Sequence, residues 1–237
     1  MKIKEISSSN FLEGRKILWN VKPDIDILVG NNGTGKTSLL LSTFNLIDEA
    51  GSQGILEEIK AKDFKIVFDN GLELEWRDNN KIPKVTGNGI ENVCISSCFA
   101  DDLWNVDINS LEDSLGILDD PDTFELFKPL IKKLLPDISS VVFPEVVKSG
   151  GKLIKGEDLS FSEKRLLEII TCCPFPDGSS DIYIVDYPEL GLDLETQYNL
   201  IDVLLEFNPK MQLLLTTNSP SIFSKGYGVN VTYMDQL

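Results

Sequence analysis

Residues Gly30-Asn31-Asn32-Gly33-Thr34-Gly35-Lys36-Thr37 fit the spacing G-x-x-x-x-G-K-[ST] and directly follow the apolar run Ile25, Ile27, Leu28 and Val29. From Lys36 onward, Leu40, Phe44 and Ile47 recur at helical spacing. Buried strand, glycine-rich loop and helix is the arrangement in which successive backbone N–H groups and a helix N-terminus face a phosphate chain. The glycines let the loop curl. Lys36 supplies a point charge toward the β and γ phosphates, and the Thr37 hydroxyl is placed to bind Mg²⁺. The expected ligand is a nucleoside triphosphate, ATP with Mg²⁺, contacted by Gly30, Asn31, Asn32, Gly33, Thr34, Gly35, Lys36, Thr37 and Ser38.

The later sequence supplies the rest of an α/β domain. Residues 65–76 alternate, with Ile66 and Phe68 before Asp69-Asn70-Gly71 and Leu72, Leu74 and Trp76 after it, which predicts a hairpin and a small antiparallel sheet. Residues 93–97 read as a buried strand. Phe124, Phe127, Ile131 and Leu134 mark one face of a helix stopped by Pro136. Beyond these come a helix at 161–171, a strand at 182–185, a helix at 193–207 whose inner face would be Leu194, Tyr198, Ile201 and Leu205, and a strand at 213–216. Apolar strands separated by amphipathic helices predict a mainly parallel sheet covered on both sides. The acidic stretch 87–122 is otherwise unassigned.

At 237 residues the chain fits one domain spanning 1–237, and it contains no internal repeat or sustained heptad pattern. No apolar run approaches the roughly 18 residues of a membrane span, and the N-terminus lacks the apolar core of a secretory signal, so a cytoplasmic location without membrane partners is expected. The formal charge of −16 repels polyanions, which makes direct DNA binding unlikely but open. Cys94, Cys98, Cys172 and Cys173 have no CxxC spacing and the chain has no histidine, so they read as buried thiols rather than a metal site.

Two further segments carry chemistry. Ile182-Tyr183-Ile184-Val185-Asp186 is an apolar strand delivering a carboxylate at its C-terminal edge, where ligands sit in open α/β sheets, so Asp186 joins Thr37 as a Mg²⁺ ligand. Lys36 and Asp186 are the catalytic candidates. Ser160 and Glu163, in Leu159-Ser160-Phe161-Ser162-Glu163-Lys164-Arg165, form an S-x-x-E capping box opening a helix.

LSFSEKRLLEII, IYIVDYPELGLDLETQYNLI and NPKMQLLLTTNSPSIFSKGY resemble segments of compact ATP-binding-cassette ATPases, the RecF, OLD and SMC-related AAA ATPases of bacteria, typically LSxGEK, DEPExxLH and NPxxQxxxTTHSP. The resemblance covers both ends of the chain well and the middle poorly. It implies a P-loop NTPase of the ABC-ATPase head type, a homodimer or heterodimer sharing its nucleotide sites, and Ser160 and Ser162 reaching the partner's γ-phosphate in trans.

Several positions depart from that pattern. The family's catalytic carboxylate is Tyr187 here, a poor base near neutral pH, and the TTHSP histidine is Asn218. Ser162 replaces the signature glycine, Asp193 stands at the histidine of DEPExxLH, and the Q-loop glutamine is missing, with Asp101 or Asp102 as substitutes. Glu189 is a less suitable base, because the family already has a glutamate there beside its catalytic one. An intact phosphate loop with altered hydrolysis positions implies a nucleotide-dependent switch or assembly subunit with weak hydrolysis, in genome maintenance or phage defence, with a TOPRIM-type nuclease as a reasonable partner. An active RecF- or SMC-like ATPase acting on DNA and a P-loop phosphotransferase are the alternatives.

Overall fold

The computed structural model describes residues 1–12, 14–52, 59–99, 108–176 and 180–237. The chain opens with strands β1 (Ile3–Phe11), β2 (Arg15–Asn20) and β3 (Ile25–Val29), then helix α1 (Lys36–Ser52). Three strands follow, β4 (Asp63–Phe68), β5 (Glu73–Arg77) and β6 (Asn80–Thr86), and then β7 (Val93–Cys98). Helices α2 (Ile108–Asp119) and α3 (Pro121–Leu134) precede the short strands β8 (Ile138–Val142), β9 (Glu145–Lys148) and β10 (Lys152–Lys155). The last part holds α4 (Phe161–Thr171), β11 (Ser180–Asp186), α5 (Leu194–Phe207), β12 (Gln212–Thr217), α6 (Pro220–Phe223) and β13 (Val231–Tyr233).

The central sheet has the order β13-β3-β12-β11-β7, and every pairing in it is parallel. Side chains alternate across a strand, so a sheet covered on both faces needs apolar residues at nearly every position. Strands β11 and β12 meet that demand. Ile182, Ile184 and Leu214 enter a core shared with α1 and the N-terminal sheet, while Tyr183, Val185, Leu213 and Leu215 enter a second core with α2, α3, α4 and α5. Tyr183 is fully buried and donates its hydroxyl to the Ile169 carbonyl at 2.6 Å. The architecture is α/β, with one parallel sheet and smaller antiparallel sheets.

Helix α1 lies between the parallel sheet and the five-stranded antiparallel sheet β2-β1-β4-β5-β6. The expected hairpin is β4–β5, with Phe64 opposite Trp76 and Ile66 opposite Leu74, turning at Gly71 with φ 87°. The α3 face Phe124, Phe127, Ile131 and Leu134 is buried as expected, joined by Leu130, and the helix ends two residues before Pro136.

Three expectations need correction. The inner face of α5 is Gln197, Leu200, Ile201 and Leu204, whereas Leu194 and Tyr198 are exposed. Strand β7 is an edge strand and mostly half-buried, because only β11 pairs with it. Cys98 and Cys173 are buried, but Cys94 is exposed and Cys172 half-buried. The antiparallel sheet β10-β9-β8, packed against α2 and α3, was not anticipated, nor was α2 within the unassigned stretch. Asp101 and Asp102 lie outside the described residues. Among the described residues no helix is long and apolar enough to cross a membrane, and no cluster of three or more metal-ligating side chains occurs.

Gln212, fully buried, ties the start of β12 to the N-terminal sheet. It accepts from the Ile3 N–H at 2.7 Å and donates to the carbonyls of Ile3 at 2.8 Å and Lys22 at 3.0 Å. Gln212→Leu strands these backbone groups without a route to water, at about 1–3 kcal/mol for a buried orphan. Urea denaturation of the variant should therefore show a midpoint lowered by a stability loss of at least about 1 kcal/mol with little change in slope.

Candidate functional site

The loop at 30–35 joins the C-terminal end of β3 to the first turn of α1. Its glycines are required by geometry. Gly33 and Gly35 have φ of 77° and 97°, and a Cβ on Gly35 would stand 2.3 Å from Leu12 Cδ1. A Cβ on Gly30 would meet Met234 Cβ at 3.0 Å and Thr34 Oγ1 at 3.2 Å. Thr34 closes the loop on itself, its hydroxyl donating to the Asn31 carbonyl at 2.8 Å. Arg15 pins the loop from outside, donating to the carbonyls of Thr34 at 2.5 Å and Met234 at 3.0 Å. Asn31, Asn32 and Gly33 are exposed, while Thr37 and Ser38 are half-buried on α1.

Lys36 is almost fully buried and turns back on its own loop, donating to the carbonyls of Gly30 at 2.6 Å and Asn31 at 3.1 Å. Burial lowers its pKa, against the opposing pull of the Asp186 and Glu189 carboxylates. Asp186, at the end of β11, brings three elements together. It accepts from Thr37 of α1 at 3.1 and 3.0 Å and from the Thr216 hydroxyl of β12 at 2.5 Å. The parallel register places Asp186 directly beside Thr216. A carboxylate and a hydroxyl converging from two elements form the hard-oxygen pair that suits a magnesium ion with water completing the shell.

Tyr187 leaves β11 in a left-handed conformation with φ 46°, uncommon for a residue with a side chain, and its N–H donates to Thr216 Oγ1 at 3.1 Å. Its ring lies beside the loop lysine, with Lys36 Nζ 5.2 Å from the centroid. Burial, and after it the Asp186 and Glu189 charges, raise the phenol pKa, so Tyr187 stays protonated. Asn218, in the turn after β12, donates its side-chain amide to Asn32 Oδ1 at 2.6 Å and its backbone N–H to Glu189 Oε1 at 2.8 Å. The phosphate loop, the turn after β11 and the turn after β12 are thus linked. An open cleft of about 530 Å³ borders this corner, lined by Gly30, Asn31, Asn32, Thr34, Asn218 and Tyr233 among others.

Residues 99–224, just over half of the chain, match the family described as "AAA domain, putative AbiEii toxin, Type IV TA system". The chain belongs to this AAA-domain family. No curated protein matches it. Solved SMC heads share its fold. The SMC head bound to the C-winged helix domain of ScpA superposes with TM-score 0.62 at 14% identity, over 95% of this chain and 92% of that one. The head from Thermotoga maritima gives 0.58 at 15% identity over the same shares. An SMC head with an extended coiled coil, bound to the C-terminal domain of ScpA derived from Pyrococcus furiosus, gives 0.60 at 13% identity, over 94% and 91%.

In this AAA domain the other sequence candidates sit apart from the phosphate loop. Ser160 caps α4 with both arms of its capping box present: Glu163 N–H donates to Ser160 Oγ at 3.3 Å, and Ser160 N–H donates to Glu163 Oε2 at 2.9 Å. Ser162 Oγ lies 3.2 Å from Ser160 Oγ and borders a smaller cleft of about 170 Å³ with Leu192, Asp193 and Thr196. Asp193 has a local role as the N-cap of α5, accepting from the Thr196 N–H at 2.9 Å. Two residues of the site escaped sequence reasoning. Thr216 was legible only through the parallel register, and Arg165 only as an unexplained charge after the capping box. Arg165 is buried and donates to the carbonyls of Asp186 at 2.7 Å and Phe99 at 3.3 Å and to Cys98 Sγ at 3.1 Å.

Burial alone would raise the Glu163 carboxyl, but its hydrogen bonds from Lys148 and Ser160 outweigh that and hold its pKa below the ordinary value. A carboxyl whose pKa is depressed by folding stabilises the native state above its unfolded pKa of about 4.3 and loses that contribution as pH falls through the lower folded value. Glu163→Gln should therefore be less stable than the parent near neutral pH, with the gap narrowing below about pH 4 in urea titrations.

Proposed function

We propose that this AAA domain is a Mg²⁺-ATP-binding module of the RecF, OLD and SMC-related class that acts as a nucleotide-dependent switch with slow turnover. The observation that carries the reading is the convergence of the phosphate loop, Lys36, Thr37 and Asp186 at the C-terminal edge of the parallel sheet. Family membership and the shared fold support a nucleotide-binding, ATPase-like module at the coarser level. Lys36 would exchange the Gly30 and Asn31 carbonyls for phosphate oxygens, and Thr37 and Asp186 would hold the ion, which neutralises phosphate charge when bound. Gly30 to Thr37, with Ser38 in the first turn of α1, would surround the phosphates through backbone N–H groups and hydroxyls.

Slow turnover follows from side-chain chemistry. Tyr187 stands where the family's base belongs and Asn218 where its histidine belongs, so a proton acceptor and an imidazole are both replaced. Ser162, which lines a separate cleft, and neighbouring Ser160 would reach the nucleotide of a second subunit, so the working form in this reading is a homodimer or heterodimer. SMC heads with ScpA domains bound show that heads of this fold accept protein partners. A TOPRIM-type nuclease is one such partner for this chain, and location in the cytoplasm suits it. Direct action on DNA has less support, given the net charge of −16.

Calorimetry with Mg²⁺-ATP on the parent and on Lys36→Ala tests the reading. Affinity should fall at least about tenfold in the variant, as expected for losing charge-assisted hydrogen bonds of about 1.5–3 kcal/mol, and chelation of Mg²⁺ should weaken the parent as well. Equal affinities in the two proteins would remove the phosphate loop from nucleotide binding. Parent turnover as fast as ordinary ATPases, on the order of 10 s⁻¹, would defeat the slow-turnover half of the reading.

A further inference from the structure

We infer that Cys98 and Cys172 form a reversible redox site, in which a small hydroperoxide such as hydrogen peroxide closes a disulfide between the end of β7 and the end of α4. The inference stands apart from the nucleotide-binding reading. Cys98 is the last residue of β7, and Cys172 is the C-cap of α4, so the two are distant in sequence. The fold nevertheless sets their thiols in hydrogen-bond contact. Arg165, Glu168 and Cys172 stand at positions i, i+3 and i+7 of α4, which puts them on one helix face. That face meets the end of β7. Arg165 Nη1 donates to Cys98 Sγ at 3.1 Å and to the Phe99 carbonyl at 3.3 Å, and it pairs with Glu168 at 3.3 Å.

The two sulfurs are not equivalent. Cys98 is 4% exposed, whereas Cys172 is half-buried and nearer to solvent. Cys98 accepts from the Arg165 guanidinium and donates its own proton to Cys172. That hydrogen bond is the leading influence on both thiols. It lowers the Cys172 pKa against the opposing effects of burial and the Glu168 charge, and with burial it raises the Cys98 pKa. Cys172 thus has thiolate character, and Cys98 remains a thiol behind it. The thiolate is the nucleophile in peroxide chemistry, and a redox-sensing pair combines such a cysteine, within reach of solvent, with a resolving thiol beside it. Packing alone accounts for a buried cysteine such as Cys173, but gives no reason to pair a half-buried thiol with a second one beside a guanidinium. In a reducing compartment the pair rests as two thiols, the state seen here, and closes only when oxidant arrives.

In the first step the Cys172 thiolate attacks a peroxide oxygen. The S–O bond forms, the O–O bond breaks, and the departing hydroxide takes a proton from solvent to become water. Cys172 is then a sulfenic acid. In the second step the Cys98 sulfur attacks the Cys172 sulfur, the S–S bond forms, the S–O bond breaks, and the hydroxide leaves with the Cys98 proton as a second water. The two cysteines lose two electrons, and the peroxide gains them. A dithiol reductant reverses the change by thiol–disulfide exchange.

Equimolar hydrogen peroxide applied to the full chain, followed by alkylation and peptide mapping without reductant, tests the assignment. The expected products are a peptide pair joined through Cys98 and Cys172, a chain lighter by two hydrogens and the loss of two of the four thiols, all reversed by dithiothreitol. Cys94 is the internal control, because it is exposed. At early times Cys172 should be oxidised several-fold faster than Cys94, since thiolate character outweighs exposure. Cys98→Ser, whose hydroxyl can still accept from Arg165, should leave Cys172 as a sulfenic acid that dimedone captures. A parent that stays fully reduced, a disulfide between other cysteines, a bond formed only between chains, or Cys94 oxidised ahead of Cys172 would each overturn the assignment. So would a folded Cys98→Ser protein in which dimedone leaves Cys172 unlabelled; if that variant does not fold, the mapping of the parent decides.

Discussion

The carboxylate of Asp186 is the point on which the site depends. It sits at the end of a strand buried on both faces, and two hydroxyls reach it from different elements, Thr37 from α1 and Thr216 from β12. Because β3, β12 and β11 run parallel and in register, their C-terminal ends arrive at one edge together. Among the described residues, the loops after β3, β11 and β12 are thereby brought into contact. The phosphate loop, the turn at Tyr187 and the turn at Asn218 converge there because the apolar alternation of three strands leaves them nowhere else to go.

Two of the departures from the resembled pattern, Tyr187 and Asn218, lie at this same edge. Tyr187 cannot take a proton, but its ring lies beside Lys36, a cation over an aromatic face. Asn218 lacks a titratable ring, but its carboxamide and backbone N–H point at two different loops and hold both. The aromatic ring and the amide thus give a corner tied together before any ligand arrives. A site held in this way must exchange internal hydrogen bonds for ligand contacts. For a ligand to take their place, Lys36 would have to leave two carbonyls and Asn218 would have to leave Asn32, and part of the binding energy would go into that rearrangement.

Much of this was readable in the sequence where one physical demand dominates. The glycines of the phosphate loop are there because two of them need positive φ and two would collide with neighbours, and the strands β11 and β12 are apolar because both of their faces are covered. Reading failed where the demand was shared. On α5 the apolar pattern pointed to Leu194 and Tyr198, but the buried face includes Gln197, which donates to the Leu192 carbonyl at 2.8 Å and accepts from the Ser219 hydroxyl at 2.6 Å. A polar side chain that satisfies buried loop groups is invisible to a count of apolar residues. Strand β7 read as a buried strand from its residues, yet an edge position leaves most of it half-buried. The strands β8, β9 and β10 are four or five residues long, too short to establish a period.

A switch needs the nucleotide corner to be felt at a distance, and Arg165 supplies a short physical connection. It lies in α4, the helix that Ser160 and Glu163 cap, and its guanidinium reaches the Asp186 carbonyl at 2.7 Å. It also holds Cys98 Sγ and the Phe99 carbonyl at the end of β7. A buried cation cannot abandon such partners cheaply, because leaving it unpaired costs several kcal/mol. Arg165 thus ties the Asp186 segment to α4, the helix whose capped N-terminus carries Ser160 and Ser162. The connection is one side chain long and runs through buried groups, so solvent and salt do little to weaken it. The link between the end of β11 and α4 is in this way part of the buried core.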